Sequence, residues 1–514
     1  MNKPSAHLLI HLLVIAASIC GYGAIYLSSL SRGYAPSLWP VARNLVVLMG
    51  LSVVFVVLIR GARYRGNLTI FTAAFLLFAV GSVAQYRLFS DPEYVARLAG
   101  RQDLVTAHRK AKIRAWRALA IEAAYDEAKR DILTGSSPGI GSDVSAPPLM
   151  RTTVTAQEFF SSASTYAPPL AVLALVVSFL ALRRESVLSW LQRHSVTLAV
   201  AAFIPLLIVA GLARSGKLLE ETTPWEVGKI IFLISLAGIL VDTYSVIRVT
   251  QWNLPPARSV LPLVVVTAFA ILPFFVLSDF GQLMVFLTVY FTLYLIAVGR
   301  RAQIVHGVIL ALAIGLLAYA VGKIPPRVFV RWHLWHSTWQ APDPQTEWWQ
   351  RVLAQRFGPS GPGKISNDEL WRDQALQLMQ GLFGLTEGGL IGTGLGLGMP
   401  ETVPVSESDF IYAAIAEEMG WIGGVLVVGA LLLLGLAGIT ITLSVTDMFT
   451  RLIAAGATCF LVFQALVNIG GVIKLLPMTG ITLPFVSHGG WSLVTSFALI
   501  GVLMALSQRA RQRA

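Results

Sequence analysis

Residues 410–440 read FIYAAIAEEMGWIGGVLVVGALLLLGLAGIT, and from Trp421 to Thr440 the run contains no charged side chain. In hydrocarbon such a segment must satisfy its own backbone hydrogen bonds, which selects an α-helix long enough to cross a bilayer. Comparable apolar runs recur along the 514 residues, of which 55% are hydrophobic and only 13% charged. That composition excludes a water-soluble domain of this size and predicts an all-α polytopic membrane protein.

Working outward from this run, spans are expected near residues 7–30, 40–60, 68–86, 168–183, 195–213, 225–247, 259–277, 283–299, 302–322, 410–440, 450–473 and 484–507, about 12 in all. Arginines fall in alternate loops: Arg60, Arg63 and Arg65, then Arg183, Arg184 and Arg193, then Arg248 and Arg258, then Arg300 and Arg301, then Arg451, and finally the tail. The positive-inside rule then puts both termini in the cytoplasm. It also accounts for the net charge of +12 without nucleic-acid binding. The first apolar run, His7–Leu30, is longer than a signal-peptide core and reads as a retained helix. Cys20 and Cys459 lie far apart inside apolar segments and suggest neither a disulfide nor a metal site.

Two expected extracytoplasmic segments exceed mere connections. One, from about Leu88 to Ala167, holds a charged helical stretch, Leu104–Leu133, and a Gly/Ser/Pro-rich tether, Gly135–Pro148. The other, Lys323 to about Ser408, is rich in Trp, Pro, Gly and acidic residues, as long functional loops often are. Its tryptophans, among them Trp332, Trp335, Trp339, Trp348 and Trp349, could stack on sugar rings or anchor the chain at the membrane interface.

Ionisable groups in or beside apolar helices mark candidate sites, because they are costly there. Glu226 and Lys229 in TPWEVGK share one helix face. Asp279 lies in SDFGQ. Asp409, Glu417 and Glu418 lie in ESDFIYAAIAEEMGWIG, with positions 409 and 417 about two turns apart on one face, and Lys474 precedes LLPMTG. Buried structural ion pairs would leave the same trace, but the collection of these groups towards one side suggests a polar cavity open to it. Loop acids add Asp343 in APDPQ, and Asp368, Glu369 and Asp373 in NDELWRDQ. The run GGLIGTGLGLGMP, residues 388–400, is glycine-rich but lacks the Lys-Ser/Thr ending of a phosphate-binding loop.

The stretch LLPMTGITLPFVSHGGWSL, residues 475–493, resembles the carboxyl-terminal signature of the SEDS family, whose RodA and FtsW members polymerise peptidoglycan strands from lipid II. TPWEVGK, SDFGQ, GGLIGTGLGLG, ESDFIYAAIAEEMGWIG and QALVNIGG also fall in that family's order. The resemblance covers roughly residues 165–510 and implies a ten-helix core. Residues 1–67 are then two additional helices, 68–87 the first core helix, 88–167 an insertion, 168–322 core helices, 323–408 a catalytic loop, and 409–514 the carboxyl-terminal core. The implied activity is a lipid II-dependent peptidoglycan glycosyltransferase of the bacterial plasma membrane, serving elongation, division or sporulation. Its implied partners are lipid II, the nascent glycan strand, membrane lipids and a class B penicillin-binding transpeptidase.

In the family, an aspartate in a loop Asp-Pro motif serves as general base towards the acceptor hydroxyl. Counted from Arg331 upstream, Asp343 corresponds to it; counted from the Gln377/Gln380 pair downstream, Asp373 or Asp368 does, because the intervening segment is longer here. Asp343 is the first expectation and Asp373 the second. The substrate-binding residues implied alongside are Arg331, Gln377, Gln380, Glu226, Lys229, Asp409, Glu417, Lys474, Ser487, Gly489 and Gly490. The diphosphate leaving group suggests help from a divalent cation, Mg or Mn, although no ligand spacing demonstrates one. This chain departs from the family in lacking the Arg-Arg-Trp motif, where ARSGKLLEE stands, and in carrying His488 where a Tyr is usual. A flippase for the lipid-linked precursor would instead require polar groups at mid-membrane depth. A non-catalytic scaffold for a transpeptidase would leave the loop acids idle.

Overall fold

The computed structural model describes residues 4–32, 34–98, 150–151, 165–201, 225–249, 279–298, 326–336 and 367–513, with the isolated positions 204 and 267. Chain order runs α1 (Pro4–Ser31), β1 (Tyr34–Ala35), α2 (Trp39–Arg60), α3 (Thr69–Phe89), α4 (Pro92–Leu98), β2 (Met150–Arg151), α5 (Ala167–Leu182), α6 (Glu185–Arg193) and α7 (Trp225–Val249). It continues with α8 (Phe280–Val298), α9 (Pro326–His336), α10 (Asn367–Glu387), α11 (Ile411–Ser444), α12 (Met448–Val472) and α13 (Gly490–Arg513). The one sheet among the described residues is a parallel pairing of Tyr34 with Met150 and Ala35 with Arg151.

Helices α1, α2, α3, α11, α12 and α13 are each long and apolar enough to span a bilayer, and α5 and α8 are shorter apolar helices. These match expected spans, as α7 does in position. Most of the expected spans at 195–213 and 259–277 and all of 302–322 lie outside the described residues, as do the charged stretch at 104–133 and the tether.

A helix that is hydrophobic all round belongs in the interior of a bundle. In α3, 78% of the apolar window is buried, against 28% in α1 and 33% in α2. That difference makes α3 a core helix, while α1 and α2 lie against the outside. The core side chains include Phe71 and Phe75 of α3, Phe179 of α5, Phe232 of α7, Phe286 of α8, Phe449 and Phe460 of α12, and Phe497 of α13. Helix α13 lies along α5, α11 packs on α12 and α3, α8 packs on α12, and α10 covers the start of α11.

The outer pair is fixed by polar side chains as well as apolar ones. His7 and His11 of α1 hydrogen-bond Thr72 of α3 at 2.9 and 3.2 Å, and Tyr22 hydrogen-bonds Ser82 at 2.8 Å. The His11 ring also stacks on Phe75 at 4.3 Å. Hydrogen bonds of this kind hold helices together where lipid offers no hydrophobic drive for association.

Helix α11 has 34 residues, so a straight helix would run about 51 Å at ~1.5 Å per residue, well beyond a hydrocarbon core of about 30 Å. It bends at Gly420, where φ is 65° and ψ −162°, a backbone region that is essentially glycine-only. The apolar stretch from Trp421 onward is the spanning half, and Ile411–Met419 turns into the polar end of the bundle. Across the bend the 388–400 loop closes tightly: a Cβ on Gly392 would lie 2.2 Å from the Glu418 carbonyl oxygen, and one on Gly420 2.3 Å from the Gly392 nitrogen.

Candidate functional site

The segment between α12 and α13, residues 473–489, is irregular backbone inside a helix bundle. Its peptide groups therefore need partners from elsewhere. Side chains of three helices supply them. Arg331 Nη1 of α9 donates to Thr479 O at 2.6 Å, and Trp335 Nε1 to Lys474 O at 3.2 Å. Gln464 Nε2 of α12 donates to Thr482 O at 2.9 Å, and Asn468 Nδ2 to Ile481 O at 2.5 Å. Gln85 Nε2 of α3 donates to Val486 O at 2.6 Å. The segment is also tied to the turn before α11: Ser487 Oγ donates to Ser408 O, the His488 amide to Glu407 O, and Asn468 Nδ2 to Asp409 O. Gly81 lets α3 approach, since a Cβ there would lie 2.5 Å from Val486 Cα.

Directly beneath lies a buried charge pair. Lys229 Nζ is 2.7 Å from Glu226 Oε2, one helical turn away on α7 as the spacing predicts, and it also donates to Gln464 Oε1 at 2.8 Å. Gln282 Nε2 of α8 reaches Glu226 Oε1 at 3.3 Å, and the Gln282 amide donates to Asp279 Oδ1 at 3.1 Å. Glu226 and Lys229 are 4% and 2% exposed, so neither charge can be left alone without a large desolvation penalty.

Arg331, Asp409 and Asp279 form the neighbouring charged group. A Cβ on Gly480, whose φ is 75°, would lie 3.2 Å from Arg331 Nη2 and 3.4 Å from Asp409 Oδ2, so this glycine brings the two together. Burial pushes the Asp409 carboxyl up to about 6, with Arg331 opposing the shift. Burial likewise raises Asp279, again against Arg331 and then Lys229. Among the described residues, buried amide oxygens of Gln282 and Asn468, and of Gln374 and Gln380 on α10, carry no hydrogen bond. They are acceptors available to a hydroxyl- or amide-bearing ligand.

Glu417 belongs to a different cluster from the one the sequence suggested. Its carboxylate accepts from the Met399 amide at 2.5 Å and faces Gly384 of α10 and Gly398. Asp409, by contrast, stands ahead of α11 and faces Arg331. The two therefore do not share a helix face, because the helix begins only at Ile411. Beside Glu417, Arg87 of α3 bridges Glu418 Oε1 at 2.7 Å and Glu401 Oε2 at 2.9 Å and donates to Gly398 O at 2.9 Å. The Gly396 amide donates to Glu418 Oε2 at 3.1 Å. The glycine run is thus a loop pinned by carboxylates rather than a phosphate cradle.

Of the other expected residues, Gln377 and Gln380 lie on α10 and Gly490 opens α13. Gly489 packs 3.4 Å from Thr482 when a Cβ is built on it. Lys474 contributes its carbonyl to Trp335. Asp368 and Asp373 fall in the first turns of α10, and Asp343 lies outside the described residues. Arg87, Glu401, Gln282, Gln464 and Asn468 were missed as individual residues, although QALVNIGG and SDFGQ contain three of them. His488 takes an edge-on contact with Phe89 at 4.9 Å between ring centres, and burial lowers its imidazole to about 4.

Spanning helices that enclose a hydrogen-bonded ionic site at one end define a multi-pass membrane protein with a built polar site. Residues 162–512 match the family model described as cell cycle protein, FtsW/RodA/SpoVE. The chain belongs to this family, as the 475–493 signature indicates. Peptidoglycan glycosyltransferase RodA of Mycobacterium tuberculosis is 29% identical over 358 residues, which are 66% of this chain and 68% of that one. Stage V sporulation protein E of Bacillus subtilis is 38% identical over 146 residues, 27% of this chain and 40% of its own. Among solved structures, one describing polymerization and crosslinking by a peptidoglycan synthase complex is 21% identical with a TM-score of 0.44, covering 68% of this chain and 91% of that chain. The RodA of Thermus thermophilus is 19% identical with a TM-score of 0.32, covering 67% and 96%.

Proposed function

We propose that this chain is a peptidoglycan glycosyltransferase that extends glycan strands from lipid II in the bacterial plasma membrane, with both termini in the cytoplasm and the signature end outside. The observation that carries this reading is the continuous match over residues 162–512 to a family whose relatives bear that name. Transfer requires a carboxylate to take the proton of the acceptor hydroxyl while its oxygen bonds the donor anomeric carbon and the bond to the lipid diphosphate breaks. The anomeric configuration inverts, from the α-linked donor to the β-linked strand. Asp343 is the first candidate for that base, with Asp373 and then Asp368 behind it.

Several described residues support this reading. Lys229, held by Glu226 and Gln464, and Arg331, held on Thr479 O, are cations whose orientation is fixed before substrate arrives. Preorganised charges of this kind stabilise a departing diphosphate better than mobile ones. The buried amide oxygens of Gln282, Asn468 and Gln380, which carry no hydrogen bond, are acceptors of the kind that sugar hydroxyls and acetamido N–H groups would satisfy. A divalent cation, Mg or Mn, would be held by one or two carboxylates together with the diphosphate oxygens of the donor and would help the leaving group depart. A class B penicillin-binding protein is the partner that the family resemblance implies.

The test compares purified parent, Asp343→Ala, Asp368→Ala and Asp373→Ala in strand synthesis from labelled lipid II. Loss in Asp343→Ala alone supports the proposal as stated, and loss in one of the other two reassigns the base. Full synthesis by all three would overturn the general-base mechanism.

A further inference from the structure

Glu401 and Glu418 are 2% and 4% exposed, and both lie against Arg87. One guanidinium cannot balance two buried carboxylates, and an uncompensated buried charge is strongly unfavourable. The second cation is Arg32, at the end of α1. Its Nη1 is 3.7 Å from Glu401 Oε1, and its Nη2 donates at 2.8 Å to Gly398 O, the carbonyl that Arg87 also uses. Arg97, the third arginine nearby, gives Nη1 to the main-chain oxygen of Glu401 and Nη2 to Glu93, so its charge is committed elsewhere.

Residue 32 lies ahead of the 162–512 family match, yet it completes a cluster whose two carboxylates, Glu401 and Glu418, lie inside that region. The close approach is built into both partners. Gly396 has a φ of 81°, and a Cβ there would sit 1.8 Å from Ser28 Oγ and 3.4 Å from Ile25 Cα. On α1, Gly21 lies under Val83 of α3 and Leu395 of the loop. From α2, Val41 and Leu45 pack on the same cluster of Tyr22, Ile25, Val83 and Tyr86 that Leu395 of the loop packs on. The loop held this way runs through Met399 and Glu401 to Ser408 and Asp409, where it meets Ser487 and Arg331.

We infer that α1 and α2 are a built-in positioning unit of the transferase site, in which Arg32 seats the 388–402 loop and thereby sets the turn that carries Asp409. Arg32 touches no substrate and acts through the loop. The inference rests on the transferase reading, and its test keeps the two apart by pairing activity with a readout independent of it. Full-length parent, Arg32→Ala, Arg32→Lys and the control Arg60→Ala, an exposed side chain on α2, are compared in the presence of the transpeptidase partner. Each is followed by lipid II polymerisation with kcat and KM separated, and by amide hydrogen exchange.

The expected result for Arg32→Ala is kcat lowered about tenfold, since misplacing a reacting array by ~1 Å costs up to about 10²-fold, with KM nearly unchanged. Exchange should quicken across residues 388–402, notably at Gly396 and Met399, while α5 and α13 keep their protection. Arg32→Lys should recover most of kcat, and Arg60→Ala should match the parent. Parent-like kcat in Arg32→Ala, a kcat loss with unchanged loop exchange, or loss of protection throughout the bundle would each overturn the positioning role. A parent that makes no strands defeats the transferase reading and with it the kinetic prediction; exchange then decides alone whether Arg32 seats the loop.

Discussion

Replacing Lys229 with methionine would strip Glu226 of its cation while leaving the carboxylate among Gln282 Nε2 and the buried faces of α7, α8 and α12. Breaking a buried pair from one side costs about 3–5 kcal/mol, and the Gln464 Oε1 acceptor left without Lys229 adds about 1 kcal/mol. Removing both charges together, as Glu226→Leu with Lys229→Met, leaves no uncompensated ion and should cost about 2 kcal/mol, for the Gln464 and Gln282 amide groups left without partners. The double-mutant cycle therefore predicts a coupling of about 3 kcal/mol or more. Each variant would be purified and unfolded by denaturant in the same mixed detergent–lipid micelles. The double variant should be folded and still unable to polymerise strands, since the cation proposed to stabilise the departing diphosphate is gone. A Lys229→Met cost below about 1 kcal/mol, or single costs that simply add, would refute the reasoning that these groups form one desolvated unit.

Asp409 gives a pH prediction. Burial raises its carboxyl to about 6, whereas an unfolded chain titrates near 3.9. Between roughly pH 4 and pH 6 the folded protein therefore holds a proton that the unfolded chain has released, and its stability falls as pH rises through that window. Thermal unfolding against pH should show the parent losing ground to Asp409→Asn across it; parallel curves would refute the shift. Gly420→Ala should cost more than about 3 kcal/mol, because its Cβ would meet the backbone of Gly392 and Ile391 at 2.3 and 2.6 Å in a backbone region closed to alanine. Folded yield checks it against Gly429→Ala, where nothing lies within 4 Å, and equal yields would contradict the account. Gly81→Val should separate α3 from Val486 and lower polymerisation together with melting temperature; unchanged values of both would rule out that contact as a constraint.

The spanning helices were legible because an uninterrupted apolar run admits little other than helix, and Glu226 with Lys229 because a three-residue spacing fixes a shared face. Asp409 and Glu417 show where periodicity misleads: it assumes a helix that already includes position 409, whereas the chain is still in a turn there and α11 begins at Ile411. The glycine run resisted reading because its purpose lies in residues far away in sequence, the backbone at Glu418 and Gly420 and the side chain of Ser28. Arg87 and Arg32 gave no local signal, since an arginine at the end of an apolar helix looks like an interfacial anchor until its carboxylates, more than three hundred residues on, are in view. Gln464 and Asn468 were visible as part of a motif, but their role as donors to an irregular segment needed the segment's path.

The central claim is most directly tested by incubating the purified, folded chain with labelled lipid II and the proposed partner, a class B penicillin-binding protein, and resolving the products by length. The account predicts glycan strands many disaccharides long, absent when Lys229 is replaced. A parent that remains folded, partner-bound and able to bind lipid II, yet yields no strand, would contradict it and favour a scaffold or a precursor transporter.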